Sequence, residues 1–365
     1  MKSFRTELVI PHSNIELDFT DGIAAFGSCF AENMSDKMNW FRFNCRANSH
    51  GIIFNPFSVA KALNDVIEHK SYHANDLIVR NGVFHSLNHH GCFSNENPED
   101  VLQTIHHEID HMHDHLKNAK LCLITFGTAW YYKFKESRRI VANCHKIPGS
   151  EFEKEMATSN EIIEVWKPLL EKLKQFNPTL QLVFTVSPVR HLRDGFHENQ
   201  LSKANLLVAV NQLINEDQGR SYFPAYEIMM DDLRDYRFCA EDMVHPSDEA
   251  VQYIWEKFSS WALNEKTTEL LSKLTPLLKY LDHKPLKIGK AEYALHVEKK
   301  ELEISKLIEG YKSKCITFWN DNFWGKREVL LSDVADVQIV VGVSNWQSSF
   351  GAQNSLNPIF SEFAE

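Results

Sequence analysis

Gly27-Ser28-Cys29-Phe30-Ala31 joins an apolar run, Ile23-Ala24-Ala25-Phe26, to a helix-compatible segment. A strand turning into a helix here lifts one side chain off the sheet edge. It also aims the unpaired amides of the first helical turn toward that side chain. A serine so placed can attack a carbonyl with part of its oxyanion hole already present. The same Ser28 can instead act as a plain helix cap. Cys29 is a second candidate nucleophile, because a helix start favours negative charge on sulfur. Adjacent residues at a turn point in different directions, so only one of the two can do the chemistry.

A base for the serine is offered much later, in Asp242-Met243-Val244-His245-Pro246-Ser247. An aspartate three residues before a histidine can orient the imidazole, which can then take a proton from a serine that the fold brings near. Ser247 suits the N-cap of a following helix, with Asp248 and Glu249 complementing its dipole. Asp-x-x-His alone is as readily a surface loop; the early turn and the late pair together are more specific.

These pieces resemble the GSCFA family, named for the residues found here as Gly27 to Ala31. His85-Ser86-Leu87-Asn88-His89-His90-Gly91, Thr125 to Trp130, Val186-Ser187-Pro188-Val189-Arg190-His191 and Asp242 to Pro246 extend the resemblance over roughly residues 1–260. That family is in turn similar to the SGNH hydrolases, serine esterases and lipases on a flavodoxin-like fold. The resemblance implies Ser28 as nucleophile, His245 as general base and Asp242 as its orienting partner. It favours the serine over Cys29. It also implies an acyl ester as substrate, a short acyl group on a carbohydrate or similar small molecule, with no cofactor. One departure bears on the oxyanion hole. SGNH enzymes carry Gly-x-Asn where this chain has Gly127-Thr128-Ala129. The donors are therefore open among the Ser28, Cys29 and Gly91 amides and the side chains of Asn88, His90 and Thr128. Gly91 as a turn residue and Thr128 as a cap are the structural readings. Arg190 and His191 follow a strand, where they can contact substrate or form a loop salt bridge.

A rival motif is His107-Glu108-Ile109-Asp110-His111. Two histidines four apart share a helix face and can ligate zinc, with Glu108 as general base of a zinc-dependent hydrolase. Asp110 places a charge inside the motif, and the surrounding histidines and acids read as a solvated helix, polar on most faces. The third alternative is a non-catalytic carbohydrate- or partner-binding module on the same fold.

The elements that must position these residues alternate. Strands are expected at Ile23–Phe26, Leu121–Phe126 and Leu180–Val186, with a shorter edge strand over Tyr222–Ile228 because of Pro224. Helices are expected from Ala31 to about Met38, from Pro56 to about His69, over Val101–Leu116, over Ser159–Phe176 capped by Ser159, from about Gln200 to Ile214, and from Ser247 to about Leu263. This alternation predicts an α/β fold, a doubly wound, mostly parallel sheet. Ligands in such folds bind beyond the carboxyl ends of the strands. Ser28, Gly127, Ser187 and His191 all follow strand ends. The expected organisation is a hydrolase domain over residues 1–265, a helical extension over 266–312 with helices Thr267–Leu281 and about Lys290–Tyr311, and a C-terminal region, 313–365, without a motif.

Composition narrows the class. The 365 residues carry a net charge of −10 with no block of like charges, unlike a nucleic-acid binder with its basic stripe. No run of roughly 18 apolar residues spans a membrane, and Met1 to Glu7 lacks a signal-peptide core, so a cytoplasmic site is expected. Seven cysteines, an odd number without a Cys-x-x-Cys pair, argue against a disulfide framework or zinc ribbon. No glycine-rich phosphate loop is present.

Overall fold

Three near-continuous apolar runs make the centre of the molecule. β1 (Gly22–Gly27), β5 (Leu121–Phe126) and β9 (Gln181–Val186) are buried over nearly their whole length, as strands covered on both faces should be. With β2 (Asn44–Ala47) and β10 (Arg220–Tyr222) they form a five-stranded sheet in the order β10-β9-β5-β1-β2, every pair parallel. Counting only these strands, the order is the 2-1-3-4-5 of flavodoxin-like doubly wound folds. The computed structural model describes residues 7–11, 13–283 and 290–323.

Side chains alternate across the sheet. Ala24, Phe26, Cys122, Ile124, Phe126, Phe184 and Val186 share one face. They pack against α2 (Pro56–Ile67), α3 (Pro98–Asn118), α4 (Ser159–Phe176) and α5 (Phe196–Ile214) through Leu63, Leu116, Trp166 and Val210. Toward the other face, α1 (Cys29–Trp40) lies against β1 and β5 and meets α7 (Asp248–Ala262). An antiparallel pair, β3 (Ile78–Arg80) and β4 (Val83–His85), precedes α3. A three-stranded sheet of β6 (Trp130–Phe134), β7 (Arg139–Val141) and β8 (Phe152–Met156) lies between β5 and α4. Among the described residues no helix is long and apolar enough to cross a membrane.

Several local expectations change. The cap of α4 is Thr158, in a reciprocal capping box with Glu161, so Ser159 is the first helical residue. α5 begins at Phe196, directly after Gly195, a turn earlier than expected. β10 sits at the sheet edge, but it ends at Tyr222. Past Pro224 the chain turns helical as α6 (Ala225–Glu227), then winds as a π-helix over Ile228–Leu233. α3 is amphipathic rather than polar on most faces, since Val101, Ile105, Ile109, Met112 and Leu116 form a buried stripe. Beyond α7 come α8 (Glu265–Asp282), capped by Asn264, and α9 (Lys290–Phe323). Most of the expected C-terminal region, 324–365, lies outside the described residues.

The sheet order reverses between β1 and β5. A crevice opens at such a switch point, at the carboxyl ends of the strands. The Gly27–Cys29 turn and Gly127 stand at those two ends.

Candidate active site

The turn after β1 is built around Gly27. Its φ of +135° belongs to the region that glycine tolerates, and a Cβ there would lie 2.0 Å from the Thr125 carbonyl oxygen. The Gly27 amide donates to Asn48 Oδ1 at 2.9 Å, and Asn48 Nδ2 donates to Glu32 Oε2 at 2.6 Å. Ser28 follows in an extended conformation. Its amide donates to the Thr125 carbonyl, and its Oγ accepts the Phe30 amide at 3.3 Å, capping α1. Ser28 is 3% exposed. Cys29 is the first residue of α1, at the positive end of the helix dipole, and is half-buried.

The Asp-x-x-His segment is a closed loop. Cys239 and Pro246 form a β-bridge, the Ala240 amide donates to the His245 carbonyl at 2.7 Å, and the Ser247 amide donates to the Phe238 carbonyl. Asp242 Oδ1 accepts the Val244 and His245 amides, each at 2.9 Å, and Oδ2 meets His245 Nδ1 at 2.6 Å. Burial works to raise the Asp242 carboxyl, but those amides and the imidazole together hold it below its usual range. The carboxylate therefore fixes both the loop and the ring.

Arg190 secures the same loop from the end of β9. Its Nη2 donates to the Met243 carbonyl at 3.2 Å, its amide donates to the Val244 carbonyl, and its guanidinium lies over the Tyr236 ring. Arg190 thus positions His245 through the loop backbone.

Asp242 thus fixes the Nδ1 side of the imidazole. A hydrogen bond with the Cys29 side chain is the leading reason that the His245 pKa rises to about 9; Asp242 adds to it, and burial opposes it. Cys29 thus acts on the imidazole, and the Ser28 hydroxyl caps its own helix.

The oxyanion candidates sort by what already binds them. The Gly127 amide donates to the Phe54 carbonyl at 2.8 Å, and the Thr128 amide donates to the same oxygen. Thr128 Oγ1 pairs with Ser202 Oγ at 2.9 Å and accepts the Trp130 amide. Both backbone amides are thus engaged. Asn88 reaches the Tyr72 hydroxyl, His90 Nδ1 accepts the Cys92 amide, and Gly91 opens a 3₁₀ turn, Gly91–Phe93. In the turn itself the Ser28 and Phe30 amides are engaged, which leaves the Cys29 amide as the donor beside the sulfur. His191 does reach the crevice, since a Cβ on Gly127 would lie 3.4 Å from its Nε2. Burial, reinforced by Lys203, His245 and Lys154, pushes His191 down to about 3, so its ring is neutral at ordinary pH.

Lys203 and Asn48 had no assigned role in the sequence. Lys203 is 1% exposed, and its Nζ donates to the Gly127 carbonyl at 2.6 Å and the Ser187 carbonyl at 2.8 Å. The signal for it was available. Lys203 shares the buried face of α5 with Leu206, Val210 and Leu213, and a lysine on an apolar stripe must find polar partners.

Behind the strap formed by residues 48–51 lies a buried polar cluster. Ser49 Oγ meets His50 Nδ1 at 3.1 Å, and His50 Nε2 faces Asp65 Oδ2 at 3.5 Å. Tyr72 donates to Asp65 Oδ2 at 2.7 Å, and the His89 ring stacks on His50 at 4.3 Å. Burial lowers His50, His89 and His145, the last to about 4. Each ring binds its proton more weakly folded than unfolded. Stability held above the free-histidine value of about 6.5 should therefore fall as pH drops toward 4, by on the order of 3 kcal/mol from His145 alone. Denaturant midpoints between pH 7.5 and 4.5 check this. His145→Gln should flatten the slope, and an unchanged slope would assign the acid sensitivity elsewhere.

The zinc-like motif stands apart from this crevice. His107 and His111 are exposed with ring centroids 4.2 Å apart, Glu108 faces Arg46 at 3.6 Å, and Asp110 pairs with His69. Among the described residues no group of three or more His, Cys, Asp or Glu side chains is arranged to hold a metal ion.

A family model covers this same ground, matching residues 22–258 under the description "GSCFA family". The chain belongs to the GSCFA family. The match runs from β1 into α7, so the GSCFA region includes both the Ser28–Cys29 turn and the Asp242–His245 loop. A comparison with curated proteins finds no match. Among solved structures, this GSCFA chain is distantly similar to a family 3 carbohydrate esterase of Clostridium thermocellum, with a TM-score of 0.34, 9% identity, and 70% of this chain and 98% of that one covered. A carbohydrate esterase family 3 protein of Talaromyces cellulolyticus gives 0.30, 7%, 69% and 98%. An acetyl xylan esterase of the rumen bacterium Butyrivibrio proteoclasticus gives 0.33, 8%, 69% and 64%.

Proposed function

We propose that this protein hydrolyses acyl esters through a thiol nucleophile, Cys29, with His245 as acid and base and Asp242 as the group that orients it. The observation that carries the reading is the imidazole of His245, held at Nδ1 by Asp242 at 2.6 Å and raised to about 9 first of all by Cys29. A thiol and an imidazole so joined can exist as thiolate and imidazolium, an activated nucleophile. The sulfur attacks the ester carbonyl carbon, and the Cys29 amide at the head of α1 supports the developing oxyanion. As the tetrahedral intermediate collapses, the carbon–alkoxy bond breaks and the imidazolium gives its proton to the leaving oxygen. Water then adds to the thioester while His245 takes its proton, and acid and Cys29 are released.

The substrate is proposed to be a short acyl ester of a carbohydrate or similar small molecule, and the chemistry needs no cofactor. The test is to mix the protein with an activated acetyl ester, quench in acid and map the adduct by peptide mass spectrometry. One acetyl group on Cys29, released by neutral hydroxylamine, is the expected result. An acetyl on Ser28 would restore the serine mechanism. No acyl adduct across a panel of short acyl esters would favour a non-catalytic binding module.

A further inference from the structure

β2 ends at Ala47, and Asn48 leaves the strand in the left-handed region, with φ at +50°. Its amide still donates to the Ala25 carbonyl at 2.9 Å, a rung between β2 and β1. In a parallel pair the next rung would take the Gly27 amide to the Asn48 backbone carbonyl. That carbonyl instead accepts the Gly51 amide at 2.7 Å. The Asn48 side chain supplies the missing acceptor. Its Oδ1 takes the Gly27 amide at 2.9 Å, and its Nδ2 donates to Glu32 Oε2 at 2.6 Å. The Gly27 carbonyl accepts the Ile53 amide at 3.1 Å. Both polar groups of the glycine before Ser28 and Cys29 are therefore held by residues 48–53, and Asn48 is 8% exposed. Glu32 lies in the first turn of α1, which Cys29 opens. One buried side-chain amide thus ties the peptide before the turn to the helix after it.

We propose that Asn48 is a positioning residue of the nucleophile turn. It locks Gly27, at φ +135°, and the head of α1 into one unit, so that the Cys29 amide and sulfur meet the reacting carbonyl in a fixed geometry. The proposal rests on the reading of this turn as the seat of the nucleophile, and it holds whether Cys29 or Ser28 carries the acyl group. A group that orients the turn for the transition state acts on kcat, whereas one that only supports the fold acts on stability.

The test combines kinetics on a chromogenic acetyl ester with hydrogen exchange at single amides of the full-length protein. Asn48→Gly removes the side chain and suits the positive φ. Its kcat should fall roughly 10- to 100-fold with KM nearly unchanged, at a temperature where near-ultraviolet circular dichroism shows a folded protein. The Gly27 amide, having lost its acceptor, should exchange at least about tenfold faster. Asn48→Asp also tolerates the left-handed backbone, but it sets a carboxylate against Glu32 and should lose activity likewise. Combined with Glu32→Gln it exchanges donor and acceptor, keeps both hydrogen bonds and preserves the total charge. The double variant should recover kcat to within about threefold of the wild type. A folded Asn48→Gly protein with wild-type kcat overturns the proposal, as does a double variant no better than Asn48→Asp. Loss of the fold in Asn48→Gly and Asn48→Asp alike overturns it too, because the contact would then serve stability alone. Exchange at Gly27 needs no substrate. A wild-type protein without ester turnover would sink the esterase reading, while the Gly27 exchange rate in Asn48→Gly still decides the positioning: faster supports it, unchanged overturns it.

Discussion

Replacing Cys29 with alanine is expected to abolish ester turnover, while replacing Ser28 with alanine is expected to leave most of it. Loss of a nucleophile that acts within a relay costs several orders of magnitude, on the order of 10⁴–10⁶ in kcat. The Ser28 hydroxyl accepts the Phe30 amide at the head of α1, so its removal weakens a helix cap. That costs about 1 kcal/mol of stability, read as a lower denaturant midpoint. Cys29→Ser is informative in between. It keeps the geometry but puts an alcohol where the imidazole has a thiol partner, and it should fall close to the alanine variant. Kinetics with a chromogenic acetyl ester, together with unfolding curves for all three variants, make the measurement. Full activity in Cys29→Ala with loss in Ser28→Ala would hand the chemistry back to the serine.

The second large effect concerns His245. His245→Ala should cost about as much as Cys29→Ala, and the double variant should be scarcely worse than either, because members of one relay are strongly non-additive. Asp242→Asn should cost less, since it removes orientation and charge rather than the base itself. The sign of the pH dependence separates the two mechanisms. Hydrogen bonding to Cys29 and Asp242 keeps the imidazole protonated up to about 9. If the thiolate–imidazolium pair is the active form, kcat/KM falls as pH rises through about 9, because the leaving alkoxide loses its acid. A serine mechanism needs the neutral ring and would instead rise through the same value. The free-histidine range of roughly 6 to 7.5, expected for an unperturbed base, does not apply to a ring so engaged. A rising limb would sink the thiol pair.

The frame of this fold was legible because burial on two faces leaves a mark in one dimension. Leu121–Phe126 has no polar residue before Thr125, and its strand emerges over the expected residues. Asp242 and His245 were also legible as a pair, because an aspartate three residues before a histidine closes a loop with local hydrogen bonds. The choice between Ser28 and Cys29 was not. Periodicity says that a helix starts there, but the direction of each side chain follows from Gly27 φ and from where the 239–247 loop returns. The surroundings of the oxyanion candidates were hidden for a similar reason. The Gly127 and Thr128 amides bind Phe54, whose loop is distant in sequence and gave no sign of its position. Asn48, which ties the Gly27 amide to Glu32, is reached only through the pairing of β1 with β2.

The groups around the sulfur come from the ends of β1, β5 and β9 and from the loop before α7, segments far apart along the chain. Apart from the β1 end, none of them can reach Cys29 by local folding. Parallel strand pairing closes long loops and is slow for that reason. A chain that has formed its helices but not its sheet therefore carries a cysteine without its histidine beside it. The chemistry is silent until the last long-range contacts close, so reactivity at this one thiol reports completion of the fold. Stopped-flow refolding in the presence of a chromogenic acetyl ester would see turnover appear as a late event.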